Sequence, residues 1–415
     1  MKEKEPNNIL YYGLLIFFLV EYIRPDQYIP LLRVLKVGTL LPLTIFVFSL
    51  FLSKTINNSE VLNNKNTRWF IFFLFLIFIS VLTANITFNA FTKFKDVLGY
   101  ILVYFVIAKE INKINRMKGL FFILVLSHII IAILSPDIIL HPEVRSYTVQ
   151  GAFLGDGNDF SLSISIVIPF CIFLLLETDK KMRKFLYLIF LIILILCIIG
   201  TSSRGGSIAL AALLVYQWIR SKKKIYGLIL IAMLLALVVI YAPSTYLERM
   251  ESIGDYQTEG SAQGRIMAWK SAVSMAMDHP LLGVGAGHFP VKYGLEYRPP
   301  GFGVTELPWA NAHSIYFQAL GELGFPGIFF LLMFIISNLI SNEKRLNEIR
   351  KYNTDKTITY ERLFICLNSS LIAFAVGGNF LSAFYYPHLI IIAGLFVAGQ
   401  FIYKESREHI LNVML

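Results

Sequence analysis

The chain has 415 residues, of which 56% are hydrophobic, 14% aromatic and only 15% charged. A soluble protein of that composition would be coated in apolar surface, so a string of water-soluble domains is excluded and lipid is the implied solvent. The formal net charge of +10 does not point to nucleic acid, because the basic residues fall in short clusters between apolar runs, as at Lys180-Lys181-Met182-Arg183-Lys184 and Lys222-Lys223-Lys224, where they carry topology information.

The first apolar run follows Lys2 and Lys4. No small-x-small cleavage site comes after it, and Glu21-Tyr22-Ile23-Arg24-Pro25 is next, so the segment reads as an uncleaved first helix rather than a signal peptide. Further runs lie near 37–53, 69–84, 97–108, 119–135, 160–176, 185–200, 205–219, 226–242, 325–340, 363–378 and 386–403. Together they predict an all-α integral membrane protein of about twelve transmembrane helices. Several runs are shorter than the ~20 residues a span needs, so those helices extend into the flanking loops or are broken. Cys171, Cys197 and Cys366 lie singly in apolar segments, as packing residues rather than a metal knuckle or a disulfide framework. No fixed-period repeat or low-complexity segment is present.

An even number of spans places both termini on one side, and basic residues in short loops decide which. With the N-terminus inside, 25 of the 37 Lys and Arg residues fall in inner segments. Both termini are therefore expected in the cytoplasm. The organisation that follows is a transmembrane region at 1–242, a long extracytoplasmic loop at 243–324, and a second transmembrane region at 325–415. The loop far exceeds an ordinary connection. Its Ile266, Met267, Trp269, Ala272, Val273 and Met275 recur near helical spacing, which predicts a helical cap over the membrane domain.

Three residues on the expected outer side are candidates for chemistry. Arg204 stands in Thr201-Ser202-Ser203-Arg204-Gly205-Gly206, between two apolar runs. A guanidinium there is costly to bury and suited to phosphate through paired donors. The two glycines would let a ligand approach the backbone and open the next helix toward an anion. Snorkelling to the interface accounts for Arg204 equally well. Arg265 heads the stretch carrying Trp269 and shares its loop with Arg249, Lys270, Lys292 and Arg298, any of which could be a solvated surface charge. His313, in Asn311-Ala312-His313-Ser314, suits acid–base work, since an unperturbed imidazole titrates near ~6.5. Because His141, His279, His288 and His388 are also expected outside, histidine alone does not select a site.

Other motifs carry less. Gly283-Val284-Gly285-Ala286-Gly287 has His288 where a dinucleotide fingerprint needs its last glycine, and no strand precedes it, so a tight loop or close backbone contact is the better reading. No phosphate-loop motif supports ATP-driven transport. Asp156-Gly157-Asn158-Asp159 lacks the calcium-loop pattern, and no metal is assigned.

The order of these pieces resembles the O-antigen ligase and polymerase family. Ser203-Arg204-Gly205-Gly206, then Gly264-Arg265 with Trp269 leading to Pro280-Leu281-Leu282-Gly283-Val284-Gly285, then His313-Ser314 with Gly324 and Gly327, carry the likeness. Gly151-Ala152-Phe153 with Asn158-Asp159 resembles a further family element. The likeness covers roughly 150–330; a short stretch at Tyr22 to Pro30 also looks like the start of exosortase-associated O-glycosylation ligases. The resemblance implies metal-independent, inverting transfer, without a cofactor, from a polyprenyl diphosphate-linked glycan to a hydroxyl of a lipid, glycan or protein acceptor. It further implies a site at the outer face of a bacterial inner membrane. By position, Arg204 and Arg265 would hold the diphosphate and His313 would activate the acceptor. The polymerase pattern of Arg, ten residues and Gly fails at both arginines, where Val215 and Ala276 stand, which favours a ligase over a polymerase. A transporter or flippase, or a non-catalytic glycan-binding subunit, would also suit a dozen helices. The absence of a paired repeat, together with candidates gathered at one face, counts against transport.

Overall fold

The computed structural model describes residues 8–35, 37–52, 56–84, 86–142, 148, 154–222, 224–251, 260–298, 310–352 and 355–414. Among them there is no strand, and the architecture is helical throughout. Each of the twelve apolar runs lies on its own helix: α1 Asn8–Ile23, α2 Val37–Leu52, α3 Lys65–Thr83, α4 Thr87–Glu110, α5 Ile114–Leu134, α6 Gly157–Leu176, α7 Lys181–Gly200, α8 Arg204–Arg220 and α9 Lys224–Tyr241. After the intervening α10 (Gly260–Asp278) come α11 Ile315–Tyr352, α12 Asp355–Gly377 and α13 Pro387–Met414. Among the described residues, seven helical segments are long and apolar enough to cross a membrane, namely α3, α5, α6, α7, α11, Thr357–Phe380 and Pro387–Arg407, while α1 and α2 are shorter apolar helices.

The helices are apolar on two faces, as a lipid-solvated bundle requires. On α3, Phe70, Phe73 and Ile77 are buried, whereas Ile71, Phe75, Phe78 and Leu82 stand exposed at helical spacing. The inner face packs on α11, where Phe73 stacks on Phe330 with centroids 4.5 Å apart. Polar side chains inside the bundle find partners across helices: Asn338 Nδ2 donates to Asn66 Oδ1 at 2.9 Å and Asn342 Nδ2 to Asn368 Oδ1 at 3.0 Å. Such bonds specify pairing where the surrounding lipid supplies no hydrophobic drive between helices.

Between α9 and α11 the chain is helical at Ser244–Glu251, at α10 and at Phe289–Lys292. Its buried Ala268, Ala272, Met275, Val284, Phe289, Tyr293 and Ala312 form a small apolar cluster separate from the main core. The apolar positions of α10 do not all face that cluster, since Val273 is exposed. Trp309 and Gly151-Ala152-Phe153 lie outside the described residues.

The glycine-rich turn at 283–287 locks this region to the bundle. Helix α11 is broken at Gly324 (φ 65°, ψ −160°), which interrupts its ladder of hydrogen bonds and leaves carbonyls to be satisfied. Val284 and Gly285 N–H groups donate to the carbonyls of Gly321 and Glu322 at 2.9 and 3.0 Å, and Phe325 N–H donates to Pro280 O at 2.9 Å. A Cβ on Gly324 would lie 2.5 Å from Pro280 O, and one on Gly283 would lie 2.4 Å from the Glu322 carbonyl carbon. Both glycines also have positive φ, so backbone contact explains the motif. The buried Glu322 carboxylate completes the lock by accepting from Gly287 N–H at 2.8 Å and Phe289 N–H at 3.2 Å.

Candidate functional site

Arg204 is the first residue of α8. Ser203 caps that helix, accepting from Gly206 N–H at 3.2 Å, and Ser202 before it has φ 49°. Such N-capping satisfies a helix donor and directs the remaining first-turn amides outward. The glycines that follow do not keep space open for a ligand, as their sequence context suggested. Gly205 and Gly206 are buried, and added Cβ atoms would lie 2.9 Å from Phe380 Cβ and 1.6 Å from Ser161 Oγ. Their role is the close approach of α8 to α6 and to the 378–380 turn.

His313 sits in the turn that opens α11, in the left-handed region at φ 47°. A non-glycine residue there costs about 1–3 kcal/mol and persists where its surroundings impose it. Here they do: His313 N–H donates to Ser382 Oγ at 2.8 Å, and Trp269 Nε1–H donates to Ala312 O at 3.0 Å. The Trp269 ring stacks on Phe317, with centroids 5.0 Å apart. Trp269 is one helical turn beyond Arg265 on α10, so the bond to Ala312 brings Arg265 toward the histidine. The imidazole is exposed. Its pKa is lowered from the usual histidine value, first by desolvation and then by the Arg265 charge, with Asp156 opposing. His313 is therefore predominantly neutral at pH 7 and has a nitrogen able to take a proton. The buried Ser314 hydroxyl beside it has no hydrogen-bond partner among the described residues.

Arg204 and His313 flank one segment. Phe380 packs on Gly205, Ile315 packs on Gly378, and Ser382 holds the His313 amide. Four residues further on, Tyr386 OH donates to Asp159 Oδ2 at 3.3 Å, in the first turn of α6. Asp156 caps that helix by accepting from Asn158 N–H at 2.7 Å. The structure thus brings the start of α8 with Arg204, helix α10 with Arg265 and the turn carrying His313 to one end of the bundle, together with the acidic 156–159 turn and the 378–386 segment that sequence spacing did not connect to them. The sequence assigns Asp156 no metal and gives it no part in the site.

Of the other histidines expected outside, His141 and His279 are exposed as His313 is, while two separate from it by burial. His288 is buried, its Nε2 accepting from Ile86 N–H at 3.1 Å, which places the proton on Nδ1 toward Ala286 O. His388 is also buried.

No curated protein matches the chain. Residues 188–332, about a third of the chain, match the family model described as O-Antigen ligase, and the matched segment carries Arg204, Arg265 and His313.

Proposed function

We propose that the chain is a bacterial inner-membrane glycosyltransferase that moves a glycan from a polyprenyl diphosphate, of the undecaprenyl type, to an acceptor hydroxyl. In this reading about twelve helices span the membrane, both termini are cytoplasmic, and residues 243–324 form a cap over an outward-facing site. The observation that carries it is the Trp269 bond to Ala312, which couples the helix bearing Arg265 to the His313 turn, while Arg204 flanks the same 378–382 segment. Phosphate-binding and proton-accepting groups at one end of a lipid-solvated bundle suit a donor whose tail stays in the membrane.

In the reaction, a ring nitrogen of His313 takes the acceptor proton as that oxygen attacks the sugar carbon. The bond from this carbon to the diphosphate oxygen breaks, with inversion, and both electrons leave with the diphosphate. Arg204 and Arg265 hold the negative charge that develops there. Donor binding also changes the base: a diphosphate beside Arg265 offsets the charge that depresses His313, so imidazolium forms more readily once donor is present.

The test is reconstitution of the purified chain in liposomes with a lipid-linked glycan donor and separate lipid, glycan and protein acceptors. A ligase yields an acceptor carrying the donor glycan, whereas a polymerase yields a longer lipid-linked glycan. Movement of the donor across the bilayer with no new glycosidic bond would overturn the reading in favour of a transporter.

A further inference from the structure

The exposed face of α10 changes character along its length. Lys270 and Ser274 are exposed at its middle, and Met277 and, just past its end, Leu281 are exposed at 67% and 72%. Leu295 nearby is also exposed. Large apolar side chains at this level of exposure have a cost in water, and grouped together they mark a contact surface.

The place where the apolar end lies identifies what covers it. Leu281 lines a cleft of about 360 Å³ together with Asp278, His279 and Lys292, and with Thr83 and Ala84, which close the membrane-crossing helix α3. Ala286 N–H donates to Ser80 Oγ of α3 at 2.6 Å, and Phe325 N–H of α11 donates to Pro280 O at 2.9 Å. The turn is therefore fixed to the ends of two spans. Leu82 on α3 and Phe325 on α11 are themselves 71% and 50% exposed, so Leu281 continues the surface that those helices present to lipid.

We infer that Met277 and Leu281 are embedded in the adjoining leaflet, in contact with phospholipid acyl chains, while Lys270 stays in water. Asp278 and His279 at the same end are exposed as well, so only the face that carries Met277 and Leu281 enters the leaflet, with those polar side chains at the water boundary. Anchoring of this kind holds α10, and with it Arg265 and Trp269, at a fixed height above the membrane surface. The inference rests on the membrane reading and on no step of the chemistry.

The test uses single cysteines at positions 277, 281 and 270, with Cys171, Cys197 and Cys366 replaced, each labelled with an environment-sensitive fluorophore in proteoliposomes. Labels at 277 and 281 should emit to the blue and lose intensity with doxyl-labelled phosphatidylcholine. The label at 270 should instead be quenched by aqueous iodide. Iodide quenching at 277 and 281 comparable to that at 270 would overturn the inference, and so would protection of both positions from both quenchers, which would mean that protein covers the face. The measurement needs no glycan donor, so its failure is distinct from a failure of the transfer reading.

Discussion

The two ends of the helix bundle are built differently. At one end, helices distant in sequence are tied by ion pairs: Glu177 meets Arg362 at 2.9 Å and Lys118 at 3.1 Å, Glu361 meets Arg350 at 2.8 Å and Lys222 at 3.2 Å, and Arg220 pairs with Glu343. The other end shows pairs between sequence neighbours, Arg24 with Glu21 and Lys292 with Glu296. It also holds the three non-glycine residues with positive φ among those described, Arg24, Ser202 and His313. One end uses charge to hold helices together. The other accepts backbone strain and presents charge, which is the division expected when one end is a scaffold and the other a site.

The largest expected effect breaks the site end alone. Removing a general base commonly costs about 100- to 10,000-fold, so His313→Ala should lose transfer on that scale while keeping folded yield and donor binding. His313→Gln should not restore it, because an amide is polar but cannot take the proton. The arginines come next. Lysine keeps the charge and loses the planar fork, and a hydrogen bond to a charged group is worth about 1.5–3 kcal/mol. Arg204→Lys and Arg265→Lys should therefore each lower transfer at limiting donor by about 10- to 100-fold. Near-normal turnover in either histidine variant would reduce His313 to a positioning residue.

How much of this was legible beforehand follows from the range of the interactions. An apolar run is a local property, so all twelve runs lie on helices, and the Gly283 turn was readable as close backbone contact. The orientation of α10 was not, because its apolar residues serve two surroundings: Ala272 and Met275 face a protein cluster while Val273 and Met277 are exposed. The glycines after Arg204 were misread for a similar reason. A glycine makes room, and only the fold shows that Phe380 and Ser161 fill it. Tyr386 with Asp159, and Ser382 with His313, join positions 227 and 69 residues apart, and no spacing rule in one sequence reaches that far.

A smaller effect sharpens the electrostatics of the site end. In the proposed mechanism neutral His313 is the active form, so transfer should fall as pH drops through its pKa, and that limb should lie below the ordinary histidine value of ~6.5 in kcat/KM. Arg265→Ala removes a charge that depresses His313 and should move the limb up. Asp156→Asn removes the opposing charge and should move it down. Because bound diphosphate offsets Arg265, the limb in kcat should lie above that in kcat/KM for the wild type. Limbs that coincide in all three proteins would show that neither charge acts on the group being titrated.

The smallest effect on transfer is expected from the opposite end. Burial alone would raise the Glu177 carboxyl, but hydrogen bonds from Arg362, Lys118 and Thr359 outweigh it and hold the group below its usual value. A depressed carboxylate contributes stability that is present above its unfolded pKa of ~4.3 and is lost as pH falls through the lower folded value. Glu177→Gln should therefore weaken the bundle at pH 7 by about 1–3 kcal/mol, the loss of a charged hydrogen-bond acceptor, and the gap to wild type should close on acidification. Unfolding in detergent by graded denaturant at pH 7 and below pH ~4 reads both. Transfer per folded molecule should stay unchanged, since the variant leaves Arg204, Arg265 and His313 in place. A drop in turnover as large as that of Arg265→Lys, with folded protein in hand, would mean that the ion-paired end governs the geometry of the site and that the division between scaffold and site does not hold.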